Sequence, residues 1–271
     1  MKYELTDQTI RHDGRTLYRI KALKDFSDVA KDELGGFVES YDNLSQHNNC
    51  WIYSDAKVYD DAKVYGNTKV FGNVEVYGDA KVFGNAEVFG WAQIYGRAEV
   101  FGNAKVSDNA EVFGNAEVSD NAEVSDNAEV FGWAQIYGSA EVFGNAQIYG
   151  DAQIYGEAQI YGRAEVYDQA KVFDNAEIYY EAKICANTIV CSDIKIPNTN
   201  DILFINLARY ITFYRCEDDI RCTIGCQHAI TIEEFKDRIY KNGNYTEVTL
   251  PKHRKDYLLA IEFAKKYFRV D

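Results

Sequence analysis

The chain has 271 residues, with 43 acidic and 29 basic side chains and a net charge of −14. An apolar fraction of 46% excludes intrinsic disorder, and the charge argues against tight nonspecific binding to nucleic-acid phosphates or to an anionic membrane. No apolar run approaches the roughly 18 residues of a membrane-spanning helix, Met1 to Thr16 has no apolar signal core, and the six cysteines then read as reduced thiols of a cytosolic protein.

Residues 1–50 are expected to form an N-terminal cap. Thr16 to Leu23 is a strand-like run, and Gly35-Gly36-Phe37-Val38 leads toward the segment that dominates the chain.

From Ile52 to Ile196 a Val or Ile stands at every sixth residue, 25 positions with none missing. The unit reads Val/Ile, Tyr/Phe, Gly, Asn/Asp, Ala, Glu/Lys/Gln. Strand alternation sends Val/Ile and the preceding Ala inward, and sends the charged or amide residue and the aromatic outward. Gly-Asn and Asp-Asn are turn signals, because these residues tolerate positive φ. Such short strands cannot bury an apolar side alone, so they stack in coils as a parallel β-helix. Three hexapeptides per coil make about eight coils over residues 51–196, a rod roughly 40 Å long.

Residues 197–271 change character and are expected to form a small α+β domain. Ile211 to Cys216 and Ile220 to Cys226 read as a hairpin around Glu217-Asp218-Asp219. Thr231-Ile232-Glu233-Glu234 is a capping box that opens a helix through Tyr240. Tyr257, Ile261, Ala264 and Phe268 share one face of a final helix. An open β-helix end exposes unpaired strand edges, so both flanks are expected to cap. Cys216, Cys222, Cys226 and His228 are the one candidate metal set. Only the spacing of Cys222 and Cys226 suits zinc, so packing as small apolar residues is the preferred reading. No cofactor is expected.

On its repeat, residues 51–196 resemble the hexapeptide-repeat, left-handed β-helix superfamily, which implies a left-handed coil of triangular section. The flanks, "GRTLYRIKALKDFSDVAKDELGGFVESYDNLSQHNNCWIY" and "ITFYRCEDDIRCTIGC…TIEEF", resemble an uncharacterised family of phage and prophage β-helix proteins, some labelled putative acyltransferases. Enzymes of the superfamily use a histidine base between neighbouring helices and a loop extruded from the coils. Here His12, His47, His228 and His253 all lie outside residues 51–196, and the phase is unbroken. The reading is therefore non-enzymatic, with acyl transfer as the alternative.

The functional information then lies on the outer surface. Positions 18 apart stack, and one face carries Tyr59, Tyr77, Tyr95, Phe113, Phe131, Tyr149 and Tyr167 without a gap. This ladder is expected to stabilise the coils by ring stacking and to mediate homo-oligomerisation. The other two ladders are broken by Ser107, Ser119 and Ser125. From Val106 to Val130 there are seven acids, Asp108, Glu111, Glu117, Asp120, Glu123, Asp126 and Glu129, and no base. Residues 51–196 hold 23 acids and 10 bases, so nearly all the excess charge lies on the rod. These features suggest a phage-type binding scaffold that acts on a basic protein of a bacterial host. Its acidic rod would partly mimic DNA and inhibit a nucleic-acid-binding or defence protein. A structural assembly component is the third reading.

Overall fold

The computed structural model describes residues 1–207, 210–215, 219–224, 227–240 and 250–269. Three longer strands come first: β1 (Tyr3–His12), β2 (Arg15–Ala22) and β3 (Leu34–Val38). Each repeat then forms a two-residue strand, from β4 (Trp51–Ile52) through β5 (Lys57–Val58) to β28 (Lys195–Ile196), 25 strands in all. Each pairs in parallel with the strand 18 residues on, as Lys57 does with Glu75 and Glu75 with Gln93. The strands therefore fall into three sheets, one per face of a β-solenoid. No helix and no extruded loop interrupts residues 51–196, as the unbroken period requires.

The core is the interior of the coil. Val112, Val118 and Val124, with Ala110, Ala116 and Ala122 between them, are buried, and the same holds along the rod. Each buried valine contributes roughly 1.5–3 kcal/mol, and the small alanine fits beside each corner where the section narrows. Thr68 and Thr188 take alanine positions and are buried too. The Thr68 hydroxyl is satisfied by donating to the Tyr65 carbonyl at 2.8 Å.

The stack has about nine turns, one more than the perfect period counts. Val38 pairs with Val58 and Leu44 bridges Val64, both across 20 residues, whereas Trp51 pairs with Lys69 across 18. Residues 37–50 thus form a first turn with two extra residues between Leu44 and Trp51. That insertion hides the turn from a strict search for period six. Gly35 and Gly36 are needed where the chain joins this turn. A Cβ on either would meet a backbone carbonyl of the coil, Ile52 O or Ala56 O, at 2.5 Å.

The N-terminal hairpin of β1 and β2 continues one sheet by antiparallel pairing with β3 and seals the first turn. Tyr3 donates to the Leu44 carbonyl at 2.7 Å. Lys2, itself buried, donates to the Cys50 carbonyl at 2.7 Å and lies over the Phe26 ring. Burial pushes the Lys2 ammonium below its usual range and the Cys50 thiol above its own. Phe26 and Tyr3 pack edge-on against Trp51, closing the end with aromatic rings.

Asp28 staples the following loop to the rod. Its carboxylate accepts from Lys69 Nζ and from the Tyr53 hydroxyl, each at 2.7 Å. These two bonds, Lys69 first, hold its pKa at about 2, below the ordinary 3.8. A depressed carboxylate pKa stabilises the fold above the ordinary value and loses that contribution as pH falls toward the folded one. Hydrogen exchange in residues 23–33 is therefore expected to accelerate between about pH 4 and pH 2, over and above its intrinsic pH dependence. In Asp28→Asn the loop should exchange fast at pH 6 already and show no such step. An identical profile in wild type and variant would remove the staple from the account.

At the other end a 3₁₀ turn, Thr199–Asp201, leads into an antiparallel sheet of β29 (Ile202–Asn206), β30 (Tyr210–Arg215), β31 (Ile220–Ile224) and β32 (Gln227–Thr231). The sequence reading anticipates its middle pair and misses the outer strands; taking Ile220 to Cys226 as one run passes over Gly225, a turn signal between β31 and β32. Helices α1 (Ile232–Tyr240) and α2 (Leu250–Phe268) follow. The capping box forms as read: Glu234 N–H donates to Thr231 Oγ1 at 3.1 Å, and Thr231 N–H to Glu234 Oε2 at 2.9 Å.

Alternation on β30 separates two layers. Ile211 and Phe213 pack with Cys222, Phe235, Tyr257 and Ile261 under the helices. Tyr214 points the other way and joins the core of the solenoid. Its hydroxyl donates to the Ile189 carbonyl on the last turn and shares a 2.7 Å hydrogen bond with Thr223. Thr199 Oγ1 accepts the Lys183 N–H at 3.0 Å. Two backbone groups on the free edge of the last coil are thereby satisfied, and the order is rod, sheet, helices.

Candidate interaction surface

All seven rings of the Tyr59–Tyr167 ladder stack, with centroids 4.8–5.2 Å apart and planes within 6°. Their spacing is set by the strand spacing, so each ring presents its edge to solvent and its faces to its neighbours. Ladder tyrosines also bond to the turn ahead. Tyr59 donates to Glu75 at 3.2 Å, Tyr95 to Glu111 at 3.0 Å and Tyr149 to Glu165 at 3.3 Å. Burial, together with the adjacent carboxylate, raises the pKa of all three phenols.

The first rungs are covered by the chain itself. Tyr59 is buried with Leu17 and Phe37, and Tyr77 and Ile10 pack on them. None of the seven rings is among the strongly exposed apolar side chains of the described residues. His12 brings the hairpin down onto this face: its Nε2 lies 3.2 Å from Glu75 Oε2, and its ring meets Tyr59 edge-on. Glu75 also accepts from Lys57 at 3.0 Å. Although burial opposes it, the Lys57 and His12 contacts together hold the Glu75 carboxyl below its usual range. The fold thus sets an imidazole against the rod from outside the repeat, a contact that spacing along the sequence does not show. All of its geometry clamps the hairpin.

The seven acids do not form one patch. Glu111 and Glu129 face each other in register on one sheet. Glu117 lies on the second sheet and Glu123 on the third. Asp108 and Asp126 occupy the corner between the third sheet and the first, and Asp120 the corner between the second and the third. Five of the seven thus line one edge of the rod over two turns: Glu123, Asp108, Asp126, Glu111 and Glu129. Glu117 and Asp120 sit around the next corner.

Most of these carboxylates also hold the fold. The corner aspartates have φ near +58° and stand where other corners have glycine. Asp120 accepts the Gly138 N–H at 3.2 Å and Asp126 the Gly144 N–H at 2.9 Å, each one turn ahead. Asp60, Asp168 and Asp174 do the same at their corners. Glu117 and Glu129 accept from Gln135 and Gln147, and Glu123 is paired with Lys105 at 2.8 Å. Asp108 bonds only to its neighbour Ser107, at 3.1 Å. Its carboxylate therefore belongs to no bond between turns, and Ser107 and Ser125 leave this stretch of the edge without ladder rings.

One side chain that the sequence reading passes over completes this edge. Trp91 stands on the same corner one turn before Asp108, its backbone N–H donating to the Asp108 carbonyl at 2.6 Å, and it is 64% exposed. Trp133, equally exposed, stands on a different corner. The available signal was the replacement of the corner Asn by Trp, a large apolar residue at the most exposed position of the unit.

In the C-terminal domain, Cys222 is fully buried, and burial pushes its thiol up to about 12. The remaining members of the candidate metal set, Cys216, Cys226 and the His228 side chain, lie outside the described residues. No protein-family model matches the chain, and a search of curated proteins finds no match. Among the described residues no helix is long and apolar enough to cross a membrane.

Proposed function

We propose that this protein is a non-enzymatic binding scaffold whose edge formed by Trp91, Asp108 and Asp126 docks a basic surface of another protein. The observation that carries this reading is the exposed Trp91 on the same corner of the rod as Asp108, one turn on, and Asp126, two turns on. An exposed indole on a corner that also carries carboxylates suits an Arg or Lys, which can find a cation–π contact and an ion pair on the same edge. A rigid scaffold also loses little entropy on binding. The rod's 23 acids against 10 bases add long-range attraction for such a partner.

The partner chemistry is that of a nucleic-acid-binding protein, and the biological role we infer is inhibition of a host protein by a phage-type acidic rod. The mimicry is partial. A duplex carries one charge per about 1.7 Å, so a rod of roughly 40 Å would need twenty or more net charges to match it. Here five sheet glutamates are also neutralised by lysines on neighbouring turns, as in Lys81–Glu99 and Lys195–Glu177, which thins the charge further.

Capture from bacterial lysate by the tagged chain tests this reading. A basic protein is expected to bind at low salt and to be released as salt rises. Trp91→Ala is expected to weaken it about tenfold or more. Asp108→Lys with Asp126→Lys is expected to abolish it and to flatten the salt dependence, at a stability loss of about 1–2 kcal/mol for the Gly144 bond. Equal capture by wild type and both variants at every salt concentration would end the proposal. Turnover of acetyl-CoA by the purified chain would instead support the acyl-transfer alternative.

A further inference from the structure

Helix α2 has two apolar stripes. One, Tyr257, Ile261, Ala264 and Phe268, is buried against the sheet and α1. The other, Leu259, Phe263 and Tyr267, recurs every fourth residue and is 58%, 54% and 39% exposed. A helix in a small domain needs one apolar face, so the second lacks a partner within the described residues. It lies on the side of the domain away from the rod, because the sheet separates the helices from the last coil.

We infer that a second copy of this chain covers this stripe, through antiparallel pairing of the two α2 helices about a two-fold axis beside Phe263. The stripe is self-complementary in that arrangement. Phe263 meets its own counterpart, and Leu259, four residues before the axis, meets the partner's Tyr267, four residues after it. The charges agree with the same axis. Glu262 and Lys266 lie on one flank of the stripe, and neither has an ion pair among the described residues. The two-fold turns that flank onto itself. At 1.5 Å rise per residue, Glu262 then lies about 3 Å along the axis from the partner's Lys266, and the reverse pair forms as well. A parallel pairing would instead turn this flank to the opposite side of the interface and separate Glu262 from the partner's Lys266. The helix cannot reach the side of its own rod, so the contact is intermolecular and closed, a dimer rather than a fibre. The two rods would extend in different directions and leave both Trp91 edges free.

Sedimentation of the full chain across a concentration series tests this inference. A dimer that dissociates in the micromolar range is expected, since one helix pair is a small interface. Phe263→Asp is expected to raise the dissociation constant at least about tenfold. Glu262→Lys sets like charges together and is expected to weaken the dimer, and Lys266→Glu added to it is expected to restore it. All three substitutions are at exposed positions, and unchanged thermal unfolding of the variants will show that the fold is intact. A wild-type monomer throughout the series would overturn the inference. So would a dimer indifferent to Phe263→Asp, or a double charge reversal no tighter than the single one. Loss of partner capture with the dimer intact would count against the binding edge alone.

Discussion

Replacing Gly96 with valine is expected to destabilise the rod by about 3 kcal/mol, whereas aspartate at the same position should cost about 1 kcal/mol or less. Gly96 has φ +70°, and a Cβ there would lie 3.0 Å from both the nitrogen and the oxygen of Gly114, one turn ahead. Any L-residue in this region costs roughly 1–2 kcal/mol, more if β-branched. Forcing the next turn aside adds roughly 1–3 kcal/mol. Aspartate meets the same backbone but returns a hydrogen bond, as Asp126 does to the Gly144 N–H at 2.9 Å. Urea unfolding checks the order of the two variants, and hydrogen exchange in residues 94–118 checks that the damage is local, since each turn touches only its neighbours. Equal destabilisation by valine and aspartate would remove the carboxylate-to-corner bond from the account of how glycine is replaced.

Tyr214→Ala should have a comparable or larger effect and a different symptom. The ring is fully buried where the C-terminal sheet meets the last coil. Removing a buried aromatic side chain costs roughly 3–5 kcal/mol, and the sheet would then no longer seal the coil. The exposed strand edges of β26 (Lys183–Ile184), β27 (Ile189–Val190) and β28 would template end-to-end association. Light scattering on mild warming should therefore rise well below the unfolding of the rod. Tyr214→Phe keeps the ring and removes the hydroxyl that bonds the Ile189 carbonyl and Thr223, at about 1–3 kcal/mol. It should unfold earlier without aggregating. Wild-type behaviour in Tyr214→Ala would mean that the domain is merely tethered to the rod and does not plug it.

The candidate site was half legible. The run of acids without a base stands out because it breaks a strict repeat, and the corner positions of Asp108 and Asp126 follow from counting by 18. Period counting also assigns the four glutamates to faces and Asp120 to the next corner. What it conceals is their employment: Asp120 and Asp126 bond to corner amides, Glu123 is neutralised by Lys105, and the Asp108 carboxylate makes no bond between turns among the described residues. Trp91 shows the reverse case. It shares Asp108's corner by the same arithmetic, but its meaning lies in exposure, and a repeat unit with Asn at that position gave no reason to expect an indole standing free. The exposure of the ladder rings was concealed for a similar reason. Exposure of a ladder ring depends on what stacks above and below it and on the hairpin that covers Tyr59, neither of which is a property of the ring's own position.

The amino-acid sequence by itself determined the solenoid, its three faces, its inward valines and alanines, and its aromatic ladders. The strand pairs and ring stacks in that part of the molecule join residues 18 apart, so local periodicity is global geometry. It determined the start of α1 as well, because a capping box is closed within four residues. Only the tertiary structure decided the rest. The extra first turn depends on pairing across 20 residues, past an insertion that breaks the period. The clamp of His12 on Glu75 and the plug of Tyr214 under Ile189 join residues 63 and 25 apart that belong to different patterns. The second stripe of α2 has the same helical spacing as the first, and only the packing of the sheet against one of them leaves the other exposed.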